Sequence, residues 1–282
     1  MSIFQYGVNR AYALLIFLLL GVHNPLWSAT TLNKTVVSDV APVSSSQAQE
    51  CVIALHGLAR TARSMEKMSL ALIESGYAVA NIDYPSRERT VQELASPTIK
   101  QGLDSCDEQG AKIVHFVTHS MGGILVRQYL SENIMGNLGR VVMLAPPNKG
   151  SEVVDALGDV PGYEFLNGPA GMQLGTDQRS VPLMLGPADF DLGIIAGTRS
   201  INLLLSTLLP NSDDGKVSVA RTQIEGMCDF LVLDVTHTFI MKNDKVIDQV
   251  LHYLQNGRFS KTEETDTNRH QRIQTQRPAQ CQ

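Results

Sequence analysis

At 282 residues the chain has room for one large domain or two small ones, and a 43% hydrophobic content allows a sizeable core. A net charge of −5 and a pI near 5.8 leave no basic footprint for nucleic acid. No Gly-rich phosphate loop, His-Glu-x-x-His or Cys-x-x-Cys occurs, so the sequence suggests no cofactor and no metal centre.

Arg10 precedes an apolar run from Ala11 to Val22, followed by Asn24, Pro25 and Ser28-Ala29. A positive residue, a short apolar stretch and small residues at its end describe an export signal over residues 1–29. The run is too short for a comfortable membrane span, although an uncleaved N-terminal anchor is the alternative. Residues 30–49 read as a linker, and the polar residues 257–282 as a disordered tail. Export implies a periplasmic or secreted protein in which disulfides can form. Among Cys51, Cys106, Cys228 and Cys281, the favoured bridge is Cys51–Cys106. Cys51 opens a strand and Cys106 ends the segment leading to another, at one end of a parallel sheet.

Between these ends, apolar runs alternate with helical patterns. Strands are expected at 51–55, 78–82, 112–117, 140–144, 192–196 and 230–235, each apolar enough to be buried on both faces of a parallel sheet. A helix capped by Ser64 and ended by Gly76 should follow the first strand. In residues 90–105, Pro97 must start a helix or kink one. The last helix should run from about Asp244 to Gln255, with Val246, Ile247, Val250, Leu251 and Leu254 on its apolar stripe. This order predicts an α/β fold over residues 50–256, with helices on both faces of a mostly parallel sheet. Residues 146–191, rich in Pro and Gly, break the rhythm as a cap-like insertion over the catalytic side. Residues 201–209 are apolar nearly all round, as a buried helix or as a wall for an apolar substrate.

The chemistry centres on Thr118-His119-Ser120-Met121-Gly122-Gly123, between an apolar strand and a helix. That pattern places Ser120 at the tip of a sharp strand-to-helix turn, where its hydroxyl can act as a nucleophile. A serine needs a base and a group that orients the base. Of seven histidines, His237 lies in a loop past the last strand, at the sheet edge where ligands of α/β folds bind. His56 more plausibly braces its own loop, and the side chain of His119 should point away from the Ser120 hydroxyl. The acid should lie between Ser120 and His237; Asp214 is preferred, with its neighbour Asp213 as the alternative. An oxyanion would be held by the backbone N–H groups of Met121 and of Leu58 in the loop after the first strand. The two adjacent aspartates are too few to argue for a structural calcium.

Leu55-His56-Gly57-Leu58, Thr118 to Gly123, Asp214-Gly215 and Thr236-His237 together resemble the α/β-hydrolase superfamily in its lipase/esterase-like branch. The segment Leu144 to Ser151 also resembles the one that follows the corresponding strand in bacterial lipases. Thr118 departs from the glycine usual at that place. The resemblance implies a Ser-His-Asp hydrolase of small-molecule or lipid esters, with transient contact with a lipid surface. Thioesterase, amidase and acyltransferase chemistry share that machinery. A non-catalytic binding protein on the same fold is a further alternative.

Overall fold

The computed structural model describes residues 49–200, 213–260 and 278–281. The signal, most of the linker and the apolar segment 201–209 lie outside the described residues. Six strands form one parallel sheet: β1 Glu50–Leu55, β2 Ala78–Ile82, β3 Ile113–His119, β4 Leu138–Leu144, β5 Leu192–Gly197 and β6 Asp229–Leu233, in the order β2-β1-β3-β4-β5-β6. All six fall where apolar runs predict them, because a strand covered on both faces is apolar along its length. Val52 and Ala54 of β1 pack on one side, with Met68, Leu72, Val246 and Val250, while Ile53 and Leu55 pack on the other with Leu94, Ile99, Ile124 and Leu125. The helices that supply these partners are α1 (Glu66–Glu74), α2 (Val91–Glu108), α3 (Met121–Glu132) and α8 (Asp244–Asn256). Among the described residues no helix is long and apolar enough to cross a membrane.

Several helix ends differ from expectation. Ser64 does not cap α1; it lies in a 3-10 turn, Ala62–Met65, and its hydroxyl donates to the Thr61 carbonyl. Helix α2 starts at a capping box, in which Thr90 Oγ1 accepts from the Glu93 N–H and the Glu93 carboxylate accepts from the Thr90 N–H. Pro97 therefore sits inside α2 instead of starting it. Residues 146–191 hold three short helices, α4 (Glu152–Leu157), α5 (Tyr163–Met172) and α6 (Val181–Met184); a fourth, α7 (Val219–Thr222), precedes β6.

Both cysteine pairs are bridged. Cys51–Cys106 joins the start of β1 to α2, as the sequence favours. Cys228–Cys281 joins the residue before β6 to the C-terminal segment, a pairing the sequence reading did not single out. The described parts of the expected tail are thus held in place. Gly257 closes α8 with φ 64, Phe259 is buried beside Tyr253, and Gln280 donates to the Ala188 and Gly226 carbonyls.

The chain runs from β1 to β2 on one side and then returns to β3 on the other. The loops after β1 and β3 therefore separate at a topological switch point, where crevices form at the carboxyl ends of parallel strands. Leu55 pairs with Thr118, so these loops start level with one another.

Candidate active site

Three loops meet at this edge. The first follows β3. Ser120 has φ 52 and ψ −122 and opens α3. Such a conformation costs a non-glycine residue about 1–3 kcal/mol and must be enforced by its surroundings. Ser120 N–H donates to the Leu144 carbonyl, and Ser120 accepts at its own carbonyl from Gly123 N–H. A Cβ on Gly122 would lie 2.8 Å from the His56 carbonyl oxygen, and one on Gly57 would lie 2.8 Å from His119 Nδ1. The two loops approach this closely because both positions are glycine.

Thr118 fits the turn because Gly123 leaves room. A Cβ on Gly123 would come within 3.2 Å of Thr118 Oγ1 and 3.0 Å of Met143 Sδ. Thr118 is fully buried, and its hydroxyl has no partner among the described residues. A buried unpaired hydroxyl is destabilising. Thr118→Val, which keeps the shape, should raise stability by about 1 kcal/mol in urea unfolding.

The second loop follows β5 and carries the two aspartates. Asp214 Oδ2 lies 2.8 Å from His237 Nδ1, while Oδ1 accepts from the N–H groups of Lys216 and Val217. Asp213 instead accepts from Gly215 N–H and does not contact His237 in this arrangement. Gly197, at the end of β5, permits the approach: a Cβ there would sit 2.9 Å from Asp214 Cβ and 2.4 Å from the Val235 carbonyl.

The third loop follows β6 and carries His237. Its backbone N–H donates to the Asp214 carbonyl, and its Nε2 lies 3.1 Å from Ser120 Oγ. A carboxylate only accepts, so Nδ1 carries the ring proton and Nε2 is left as the acceptor for the serine hydroxyl. Ser120, His237 and Asp214 therefore form a continuous hydrogen-bonded chain from three loops that are far apart in sequence.

Two further histidines support this chain. His119 Nε2 donates to the His237 carbonyl at 3.0 Å, and the rings lie 4.8 Å apart. Its side chain does turn from the serine hydroxyl, but toward the backbone that carries His237; sequence spacing gives no sign of this contact. His56 Nδ1 donates to the Gly57 carbonyl, its Nε2 accepts from Tyr84 N–H, and the Tyr84 ring stacks on it at 4.0 Å. Tyr84 O–H donates back to the His56 carbonyl. His56 thus braces the loop after β1.

Burial holds His119 well below the ordinary imidazole range, aided by His237 and by the charges of Arg60 and Lys216. Burial also lowers His56 and His115. For all three, folding favours the neutral ring. The stabilising effect is complete above the unfolded value of about 6.5 and is lost as acid protonates the unfolded chain. Urea unfolding should therefore show lower stability at about pH 6 than at about pH 7.5.

Neither the Leu58 nor the Met121 amide N–H has a hydrogen-bond partner among the described residues. Leu58 lines a cleft with Ser120 and His237. The cleft has a cavity volume of about 160 Å³, and Val153, Val154, Leu157, Leu166 and Leu174 from the 146–191 segment supply apolar wall. No group of three or more His, Cys, Asp or Glu side chains suited to a metal ion occurs among the described residues.

No protein-family model matches the chain, and no curated protein matches it in sequence. Solved structures do resemble it. The mature Bacillus licheniformis lipase BlEst2 is 19% identical, with a TM-score of 0.59 over 77% of this chain and 96% of that one. The metagenomic carboxyl esterase MGS0156 is 18% identical, with a TM-score of 0.53 over 76% and 72% of the two chains. Phospholipase PlaB of Legionella pneumophila is 20% identical, with a TM-score of 0.51 over 62% of this chain and 45% of that one. The chain thus shares the α/β-hydrolase fold of these structures.

Proposed function

We propose that this protein is a serine hydrolase of carboxylic esters with an apolar acyl group. The observation that carries the reading is the Ser120–His237–Asp214 hydrogen-bonded chain opening into a largely apolar cleft. His237 Nε2 takes the Ser120 proton as Ser120 Oγ attacks the acyl carbonyl carbon. Asp214 keeps the other ring proton on Nδ1 and stabilises the imidazolium that forms. The Leu58 and Met121 N–H groups donate to the oxyanion of the tetrahedral intermediate. Its collapse breaks the ester C–O bond, and the alcohol leaves with the proton from His237. Water, deprotonated by the same nitrogen, then releases the acid and restores Ser120.

The acyl half would occupy the cleft, and the side chains of α4 and α5 that line it support a covering role for the 146–191 segment. Its volume, about 160 Å³, is similar to that of an apolar protein cavity that takes up benzene. Contact with a lipid surface is supported by the exposed Phe165, next to Leu166 of the cleft, and by the exposed Phe239, close to His237. Two disulfides favour a periplasmic or secreted location.

The test is hydrolysis of p-nitrophenyl esters of graded acyl length, together with fluorophosphonate labelling. Labelling at Ser120 with faster turnover of butyrate than of acetate is the expected result. Folded protein that neither turns over an ester nor takes the label would exclude the reading.

A further inference from the structure

The cleft is not apolar throughout. Arg60, from the loop after β1, and Lys216, two residues past Asp214, line it beside Ser120 and His237. Neither side chain has a carboxylate within ion-pair distance among the described residues. Asp214 is the acid that acts on Lys216, and its carboxylate is already engaged by His237 and by two backbone N–H groups. Two like charges thus line one concave site, Arg60 half-buried and Lys216 exposed, in a chain whose net charge is −5. Burial disfavours the Arg60 charge; for Lys216, burial of the ammonium and then Arg60 disfavour the charge, while Asp214 favours it. Two cations lining one concave site, with no carboxylate ion-paired to either among the described residues, attract an anion.

The hydrolase reading supplies the context, and this inference rests on it. We propose that the substrate is an amphiphilic ester whose apolar acyl group fills the Val153–Leu157 side of the cleft while Arg60 and Lys216 hold an anionic group, a phosphate or a carboxylate, on its alcohol half. Arg60 offers a planar fork of donors and Lys216 a compact ammonium, a combination suited to an anion with several oxygens. Reaction chemistry is unchanged: the anionic alcohol is the leaving group and departs with the proton from His237.

The test compares matched esters at low ionic strength, with fluorophosphonate labelling in parallel. One pair is 1-hexanoyl-glycerol and 1-hexanoyl-glycerol-3-phosphate. The other is the butyryl ester of methyl 4-hydroxybenzoate and that of 4-hydroxybenzoate. The wild-type protein should favour the anionic member of at least one pair by about tenfold or more in kcat/KM. That ratio should fall several-fold in Arg60→Gln and in Lys216→Gln and approach one in the double variant. Preference in the phosphate pair alone assigns a phosphate, and in the benzoate pair alone a carboxylate. Equal kcat/KM within both pairs, in protein that labels and turns over the neutral esters, overturns the inference and leaves the hydrolase reading standing. A preference that survives in the double variant also overturns it. Folded protein that neither labels nor cleaves any of the four esters ends both.

Discussion

Ser120→Ala and His237→Ala should each lower kcat for ester hydrolysis by about a million-fold, and the double replacement should be no worse than either alone. In the proposed mechanism the three groups act as one unit, so removing one would disable the rest. Asp214→Asn should cost about 10⁴-fold, for a different reason. Asparagine keeps an oxygen that can accept from the Lys216 and Val217 N–H groups, so the loop retains its shape. Its amide nitrogen would then face His237 Nδ1 and donate to it. The imidazole must shift its proton to Nε2, where it can no longer accept from Ser120 Oγ, 3.1 Å away. Asp213→Asn should stay within about tenfold of the wild type, since Asp213 accepts from the Gly215 N–H of its own turn and the hydrogen-bonded chain to Ser120 runs through Asp214. Steady-state kinetics of the four single variants and the double variant, with unfolding midpoints as a check on folding, make the comparison. A larger loss for Asp213→Asn than for Asp214→Asn would reassign the acid.

How much of this could be read from the sequence depends on the distance over which each feature acts. The six strands were legible because double burial leaves an unbroken apolar signature at each, as in Cys51-Val-Ile-Ala-Leu55 and Arg140-Val-Val-Met-Leu144. The Ser120 turn was legible because strand, small residues and helix are contiguous. His237 was chosen by elimination among seven histidines, a route that depends on the others having evident placements. What escaped is contact through space. Gly197 reads as the end of a strand, yet its missing Cβ lets Asp214 reach the site. Tyr84 reads as a loop aromatic, yet it stacks on His56. Arg60 and Lys216 lie in loops about 150 residues apart, and no periodicity brings them to one cleft. The Ser64 expectation failed, and Pro97 does not start its helix, for a local reason. Side-chain caps compete, and the Thr90–Glu93 box captured the start of α2 while the 3-10 turn absorbed Ser64.

The two disulfides should prove unequal, although their loops are nearly the same length. Cys51 and Cys106 are 55 residues apart and Cys228 and Cys281 are 53 apart, so loop closure in the unfolded chain is worth about 4 kcal/mol for each. That figure assumes that both ends stay ordered in the native state once the bridge is gone. The condition holds for Cys51 and Cys106. Both are fully buried, one in β1 and one in α2, within a core cluster that includes Ile53, Ile99 and Phe116. Cys51→Ala with Cys106→Ala should therefore lower stability by about 4 kcal/mol. It does not hold for Cys281, whose described neighbourhood is fixed to the domain by the bridge and by Gln280 donating to two carbonyls. Without the bridge the C-terminal end would loosen in the folded protein as well, and the entropy regained there offsets most of the cost. Cys228→Ala with Cys281→Ala should thus lose only about 1 kcal/mol. Urea unfolding of the two double variants under oxidising conditions reads the difference directly. Equal losses near 4 kcal/mol would mean that the C-terminal segment docks on the domain with enough affinity of its own to stay ordered without its disulfide.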